Sequence, residues 1–175
     1  MKKNLGKIIA GVAIVLGLIA VLMIFAKAIV PNSDYAKLLG DKAKDANIAG
    51  SAIAFGKKEE VLGKTVTTYM ASAYILAFLL PLIGVALAVV ALLGKGGKIV
   101  PIVAAVCFLV GGIIYFLPLQ TITPNKDALI GVEVADWREG LQKNFTLGAG
   151  AIVGGLFSIL AACASCATLF VKKAK

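Results

Sequence analysis

The chain contains no histidine, only one arginine (Arg138) and only one tryptophan (Trp137). Histidine is the usual general base near neutral pH and the commonest metal ligand, so its absence argues against histidine-based catalysis and against a zinc site. A formal net charge of +9 with a single arginine lacks the clustered basic footprint of a nucleic-acid interface. We expect no enzyme activity, no cofactor, no metal and no nucleic-acid partner.

Charge of either sign is scarce. Only 15% of residues are charged and 60% are hydrophobic, whereas soluble domains average about 25% and about 45 to 50%. The composition therefore predicts a protein that is embedded in a membrane.

Acidic residues are missing from most of the chain. All nine lie within residues 31–68 and 119–146, while the two ends and the segment around Lys95 and Lys98 carry lysine and no acid. Excess lysine marks the cytoplasmic side of a membrane protein. We therefore predict a multi-pass protein of the plasma (cytoplasmic) membrane with both termini in the cytoplasm. Its inner lysines would contact anionic lipid headgroups.

Four long apolar runs lie between the charged segments. A transmembrane helix needs about 20 apolar residues, and each run meets that length. The pattern predicts an all-α integral membrane fold, a four-helix transmembrane bundle in a single tetraspan domain over residues 1–175. The predicted spans are residues 8–30, 69–93, 99–118 and 145–171, and the predicted outer loops are residues 31–68 and 119–144.

The first outer loop has patterns typical of short helices and strands. Asn32 or Ser33 follows Pro31 and suits the N-cap of a surface helix. Residues 61–67 are rich in β-branched side chains, residues 51–55 include Ile53 and Phe55, and both segments flank the charged residues 57–60. This pattern predicts a β-hairpin with its turn at 57–60.

The second outer loop predicts one more strand and one helix. Ile130, Val132 and Val134 alternate, as in a half-buried strand. Asp136 with Glu139 three residues later resembles a capping box, so we expect a helix from Trp137 that runs almost continuously into span four. The two loops together predict a small α+β cap outside the membrane.

Span four carries small residues at helical spacing. Gly150 with Gly154 and Ala151 with Gly155 form two overlapping small-x-x-x-small pairs, which allow close approach of two helices in lipid. This face either packs within the chain against span one or span three, which we favour, or joins copies of the chain in an oligomer.

Two further patterns offer chemistry. Thr65, Thr68 and Ser72 at the outer end of span two could line a pore in an oligomer. The hydrocarbon core, however, holds no charged residue of the kind that marks a proton pathway, since Lys27 lies at the outer end of span one. Cys163 and Cys166 form a C-x-x-C near the cytoplasmic end of span four, far from the oxidising side. We interpret these cysteines as small packing residues in a tight helix contact, with lipidation or metal binding as alternatives.

The predicted layout resembles that of claudins and related tetraspan junction proteins. Four spans, inner termini, a longer first outer loop and outer strands carry the resemblance. Those families have a Trp-containing motif and a cysteine pair in the first outer loop, and residues 31–68 contain neither Trp nor Cys. The resemblance therefore covers topology alone and implies no site residue.

The function that remains is interaction rather than chemistry. We predict a non-enzymatic structural, scaffold or interaction component that binds a protein partner, or another copy of itself as a homo-oligomer, through its outer loops. The alternatives are a homo-oligomeric channel or pore and an accessory subunit of a membrane transport complex. The residues expected at the outer interaction surface are Leu38, Leu39, Trp137, Ile130 and Val132.

Overall fold

A computed structural model describes residues 2–61, 64–70, 72–125 and 133–171. This part of the chain contains eight α-helices, six strands and three short 3-10 helices, Met23–Phe25, Gly40–Lys44 and Ala73–Ile75. The helices are α1 (Lys2–Leu22), α2 (Ser33–Leu39), α3 (Gly50–Phe55), α4 (Leu76–Leu92), α5 (Ile99–Tyr115), α6 (Pro118–Thr121), α7 (Val134–Asn144) and α8 (Ala149–Val171). The strands are β1 (Lys27–Pro31), β2 (Ile48–Ala49), β3 (Lys57–Val61), β4 (Lys64–Met70), β5 (Thr123–Pro124) and β6 (Phe145–Leu147).

Three helical stretches are long and apolar enough to cross a membrane: Leu5–Phe25, Ala73–Leu92 and Ala149–Val171. The helix α5 is equally apolar but shorter, at 17 residues. The helix α1 packs against α4 and α8, and α5 packs against the same two helices. These features indicate a membrane-embedded protein with transmembrane helices, as the composition predicts.

Small side chains fill the interior between the four long helices, and large apolar side chains face outward. Ala13, Ala104 and Ala161 are fully buried, whereas Ile8 of α1 and Val106 of α5 are exposed. Helices in lipid gain little from hiding apolar surface from each other, so close packing of small residues holds them together. The distribution is the reverse of that in a water-soluble helical protein.

Phe108 is the one large side chain at the centre of this packing in the described residues, and it is fully buried. A Cβ atom built on Gly17 would lie 2.5 Å from its ring, and one built on Gly84 would lie 2.9 Å away. The hydroxyl of Ser158 donates a hydrogen bond of 2.6 Å to the carbonyl of Phe108. Phe108 of α5 thus contacts α1, α4 and α8.

The strands gather at one end of the long helices, in the described parts of residues 26–72 and 117–148, which we call the strand module. One sheet has the order β2-β1-β6 and the other has the order β3-β4-β5, all antiparallel. Because β1 follows α1 and β6 precedes α8, the pairing of Ile29 with Leu147 ties the ends of these two helices together. The N–H of Gly148 adds a hydrogen bond of 2.8 Å to the carbonyl of Ala28.

The strand module and the adjoining helix ends share one hydrophobic core. Ile29, Ile53, Tyr74 and Tyr115 belong to a single buried cluster that also includes residues of α7 and α8. The Tyr74 hydroxyl donates to the Tyr115 carbonyl at 3.3 Å, and the Tyr115 hydroxyl donates to the carbonyl of Ala20 in the last turn of α1. These two hydrogen bonds connect the segment before α4 to α5, and α5 to the end of α1.

The structure corrects three boundaries of the predicted spans. The first helical stretch ends at Phe25 rather than at residue 30, because residues 27–31 form β1. The residue before a proline avoids helical backbone angles, and Val30 precedes Pro31. The second stretch begins at Ala73 rather than at residue 69, because residues 64–70 form β4. The fourth helix begins at Ala149, after β6.

In the first outer loop, the predicted surface helix is confirmed, whereas the predicted residues of the β-hairpin are wrong. The Asn32 side chain caps α2 and accepts a hydrogen bond of 2.9 Å from the N–H of Tyr35, which confirms the predicted N-cap. Residues 51–55, predicted as a strand, lie in the helix α3, and the predicted turn at 57–60 lies in β3. The hairpin is formed instead by β3 and β4.

In the second loop, Ile130 and Val132 lie outside the described residues, so the strand predicted there is not tested. Val134 begins α7, with Glu133 rather than Asp136 at the N-cap. The helix α7 does not continue into α8, because β6 separates them.

The packing around Phe108 predicts the effect of adding one methyl group. Gly17→Ala places a Cβ against the Phe108 ring, so we expect it to lower the free energy of unfolding by about 1 to 3 kcal/mol. Gly11→Ala is the matched control in the same helix, since nothing lies within 4 Å of its Cβ position. That variant should be neutral or stabilising by up to about 1 kcal/mol. Equal losses in thermal unfolding of the two detergent-solubilised variants would contradict this packing.

Candidate interaction site

A groove opens in the strand module between the segment before α3 and the chain from α7 to β6. Its volume of about 410 Å³ lies within the range of ligand pockets, roughly 300 to 1,000 Å³. The lining residues are Asp45, Ala46, Asn47, Ile48, Ala49, Ala52, Lys57, Trp137, Leu141 and Phe145.

The apolar side of the groove comes from one face of α7 and from the residue after it. Trp137 and Leu141 are four residues apart and therefore lie on the same helix face. Leu141 is buried, while Trp137 is partly buried and packs against the hydrophobic core of the strand module. Ile48 of β2 is buried opposite them. The groove thus has an apolar floor that continues into the core.

Phe145 is held in place by the first sheet and by the cap of α2. It pairs with Pro31 across the sheet, and its ring centroid lies 5.4 Å from that of Tyr35. The Asn32 side-chain amide donates to the Lys143 carbonyl at 2.8 Å, and the Asn32 N–H donates to the Asn144 carbonyl at 2.9 Å. Asn32 therefore fixes both the start of α2 and the end of α7.

The rim of the groove is polar and carries charges of both signs. Asp45 and Lys57 are exposed, and the Asn47 side-chain amide donates to the carbonyl of Lys44. Within the described ranges, no three residues among His, Cys, Asp and Glu come together as a metal site. The groove thus combines an apolar floor with a polar rim of mixed charge.

The structure separates the residues that we predicted at the outer interaction surface. Trp137 lines the groove. Leu38 is 83% exposed on α2 and Leu39 is partly buried, and neither lines the groove. Ile130 and Val132 lie outside the described residues.

The small-residue face of α8 is occupied inside the chain. Gly150, Ala151, Gly154 and Gly155 are all buried. A Cβ on Gly150 would lie 2.9 Å from the Ala26 backbone, and one on Gly154 would lie 2.5 Å from the Tyr115 ring. This face is therefore filled by contacts with the end of α1 and with α5.

The predicted pore stripe is not a face of a helix. Thr65 and Thr68 lie on β4, and Ser72 precedes the helical residues. The Ser72 hydroxyl donates to the Ile53 carbonyl at 2.8 Å and accepts from the N–H of Tyr74. These three residues therefore do not form a stripe on one helix, because β4 is extended and Ser72 acts as a cap. That they line a pore in an oligomer stays a prediction.

The cysteine pair is also placed differently from our prediction. Cys163 and Cys166 are both exposed on α8, on the side that carries Leu156 and Leu160. They do not pack in a tight helix contact within the chain, because the face of α8 that meets the other helices carries Ser158, Ala162 and Ser165 instead.

Sequence reasoning missed most of the groove. The four-residue spacing of Trp137, Leu141 and Phe145 is a visible signal for its apolar side. Nothing local places Asp45 or Lys57 beside that helix, because Asp45 precedes β2, Lys57 begins β3 of the other sheet, and α7 follows much later in the chain.

The hydrogen bonds of Asn32 predict a measurable loss of stability. Asn32→Ala removes the α2 cap and the bond to Lys143, so we expect a decrease of about 1 to 2 kcal/mol in the free energy of unfolding. Ser33→Ala, at an exposed neighbour, should change it by less than about 0.5 kcal/mol. Denaturant unfolding followed by the emission of Trp137, the only tryptophan, compares the two. Indistinguishable midpoints would remove Asn32 from the support of this site.

No protein-family model, curated protein or solved structure matches the chain.

Proposed function

We propose that α1, α4, α5 and α8 form a four-helix transmembrane bundle and that the strand module is its extracytoplasmic cap. Of these helices, α5 is the one that falls short of the candidate span length. Its 17 residues extend over about 25 Å, whereas the hydrocarbon core is roughly 30 Å thick. Its outward side chains support a lipid-facing position, since they are large, apolar and exposed along its whole length. They include Ile102, Val106, Leu109, Val110 and Ile113.

Charge supports one orientation of this bundle. Lys7, Lys95 and Lys98 are exposed at the helix ends away from the strands, whereas every acidic residue of the described chain lies between residues 34 and 139 outside the long helices. The lysine-bearing end belongs in the cytoplasm by the positive-inside rule. In this proposal the protein lies in the plasma (cytoplasmic) membrane, both termini are cytoplasmic, and the lysines contact anionic headgroups.

The function we propose is that of a non-enzymatic scaffold or interaction component. The groove beside Trp137 carries this proposal, because a partly buried aromatic side chain over an apolar floor is the usual anchor of a protein interface. The cap would bind another membrane or extracytoplasmic protein, or a second copy of the chain. Self-association would use the cap, since the Gly150 face of α8 is filled within the chain.

The orientation predicts which side of the membrane a water-soluble reagent reaches. In a variant without native cysteines, Lys42→Cys should react with an impermeant maleimide on intact cells, because Lys42 is exposed on the cap. Lys95→Cys is the matched exposed position in the α4–α5 turn and should react only after permeabilisation. The reverse pattern, or labelling of both on intact cells, would contradict the proposed topology.

The interaction itself is tested by crosslinking from inside the groove. A photoreactive benzoylphenylalanine at Ala46, which lines the groove, should give a protein adduct of one defined mass in native membranes. An adduct at twice the mass of the chain identifies a second copy. The same group at Ala43, outside the groove, is the positional control.

Trp137→Ala should reduce the Ala46 adduct by at least about tenfold, because truncating a central aromatic anchor costs about 2 kcal/mol or more. Absence of a protein adduct at Ala46, or equal adducts at both positions that survive Trp137→Ala, would overturn the proposed function.

A further inference from the structure

A small cavity lies in the interior of the long helices, away from the strand module. Its space for the centre of a water molecule is ≈ 10 Å³, and it is lined by Pro101, by five alanines and by the hydroxyl-bearing residues Ser165 and Thr168. Every lining residue is buried. That volume is about the minimum that one water molecule requires.

Of the two hydroxyl-bearing residues that line the cavity, Ser165 is the one whose side chain makes no hydrogen bond to the described protein. The residue is 3% exposed, and within the described chain its Oγ is the buried side-chain oxygen or nitrogen that lacks a hydrogen-bond partner. The other buried hydroxyls of α8 are paired: Ser158 donates to the Phe108 carbonyl at 2.6 Å, and Thr168 donates to the Ser165 carbonyl at 2.7 Å. Native proteins rarely leave a buried hydroxyl unpaired, since its lost hydration is then not replaced.

We propose that the cavity is the binding site of a single ordered water molecule. The Ser165 hydroxyl donates to the water oxygen, and the water donates to Thr168 Oγ1, which keeps lone pairs after giving its own proton to the Ser165 carbonyl. Two protein hydroxyls meet the minimum of two to four partners for a buried water. The site does not depend on the proposed function of the cap.

The position of the cavity indicates the side from which the water enters. Ala91, Pro101 and Thr168 line it, and each lies within three residues of the end of its helix. Ala104, which also lines it, is one helical turn from Phe108, whose buried ring fills the space between Gly17 and Gly84. The route to Ser165 that Phe108 does not block is therefore the one from the lysine-bearing end.

Ser165→Ala distinguishes a bound water from an unpaired hydroxyl by the sign of its effect. If the water is present, the substitution removes the hydrogen bond between Ser165 and the water, and the midpoint of thermal unfolding should fall by about 2 to 4 °C. If the hydroxyl has no partner, the substitution removes a buried polar group whose desolvation is unfavourable. An unchanged or higher midpoint therefore overturns the proposal. Ser158→Ala, which breaks a formed hydrogen bond, calibrates the size of the decrease.

A second measurement uses the unmodified protein and does not depend on a variant that folds. With ¹³C-labelled alanine methyl groups, nuclear Overhauser effects from water should appear at Ala13 and Ala104, which line the cavity, and not at the buried Ala161, which does not. Absence of water signals at both cavity methyls overturns the proposal. Their presence at both cavity methyls, with none at Ala161, supports it.

Discussion

Close contact between small residues is the constraint on which the rest of this structure depends. In a lipid environment the long helices gain little from hiding Leu, Ile or Val from one another, so those residues face outward. What remains for the interior is alanine, glycine and serine, packed around the single ring of Phe108. Because no free volume remains between the Phe108 ring and either Gly17 or Gly84, these contacts fix how closely α1 and α4 approach α5 at the level of Phe108.

The position of the groove follows from the same helices. The end of α1 leads into β1 and the start of α8 follows β6, so the pairing of these strands extends the antiparallel helix pair into the strand module. Tyr74 and Tyr115 connect the other two helices to the same core. The aromatic side of the groove at Trp137 and Phe145 is thus built on this shared core.

Sequence patterns predicted the local features well. The apolar runs and the cap of α2 by Asn32 depend on residues that are near each other in the chain. Three of the four predicted spans overlap a helical stretch long enough to cross a membrane, and the Asn32 N-cap is confirmed. Span ends were wrong where β-branched residues such as Ile29 and Val30 continue an apolar run, because the same residues suit a strand or a membrane helix.

The groove could not be predicted, since its walls come from segments that are remote in sequence and meet only in the folded strand module. The cavity at Ser165 could not be predicted for the same reason, because Ala10, Ala88 and Ala104, which line it, lie on three other helices. Residue spacing within one helix identifies which face is buried, but it does not identify which groups on other helices that face meets.

The placement of α5 as a lipid-facing span is the central claim, and accessibility of spin labels measures it most directly. Labels are placed one at a time from Val100 to Ile113 in a variant without native cysteines, in lipid vesicles. Oxygen accessibility should rise every three to four residues, with maxima at Ile102, Val106, Leu109 and Ile113, while a water-soluble nickel chelate reaches none of the central positions. Ready access of the nickel chelate to Val106 and Leu109 would contradict the account, because it would place α5 in water.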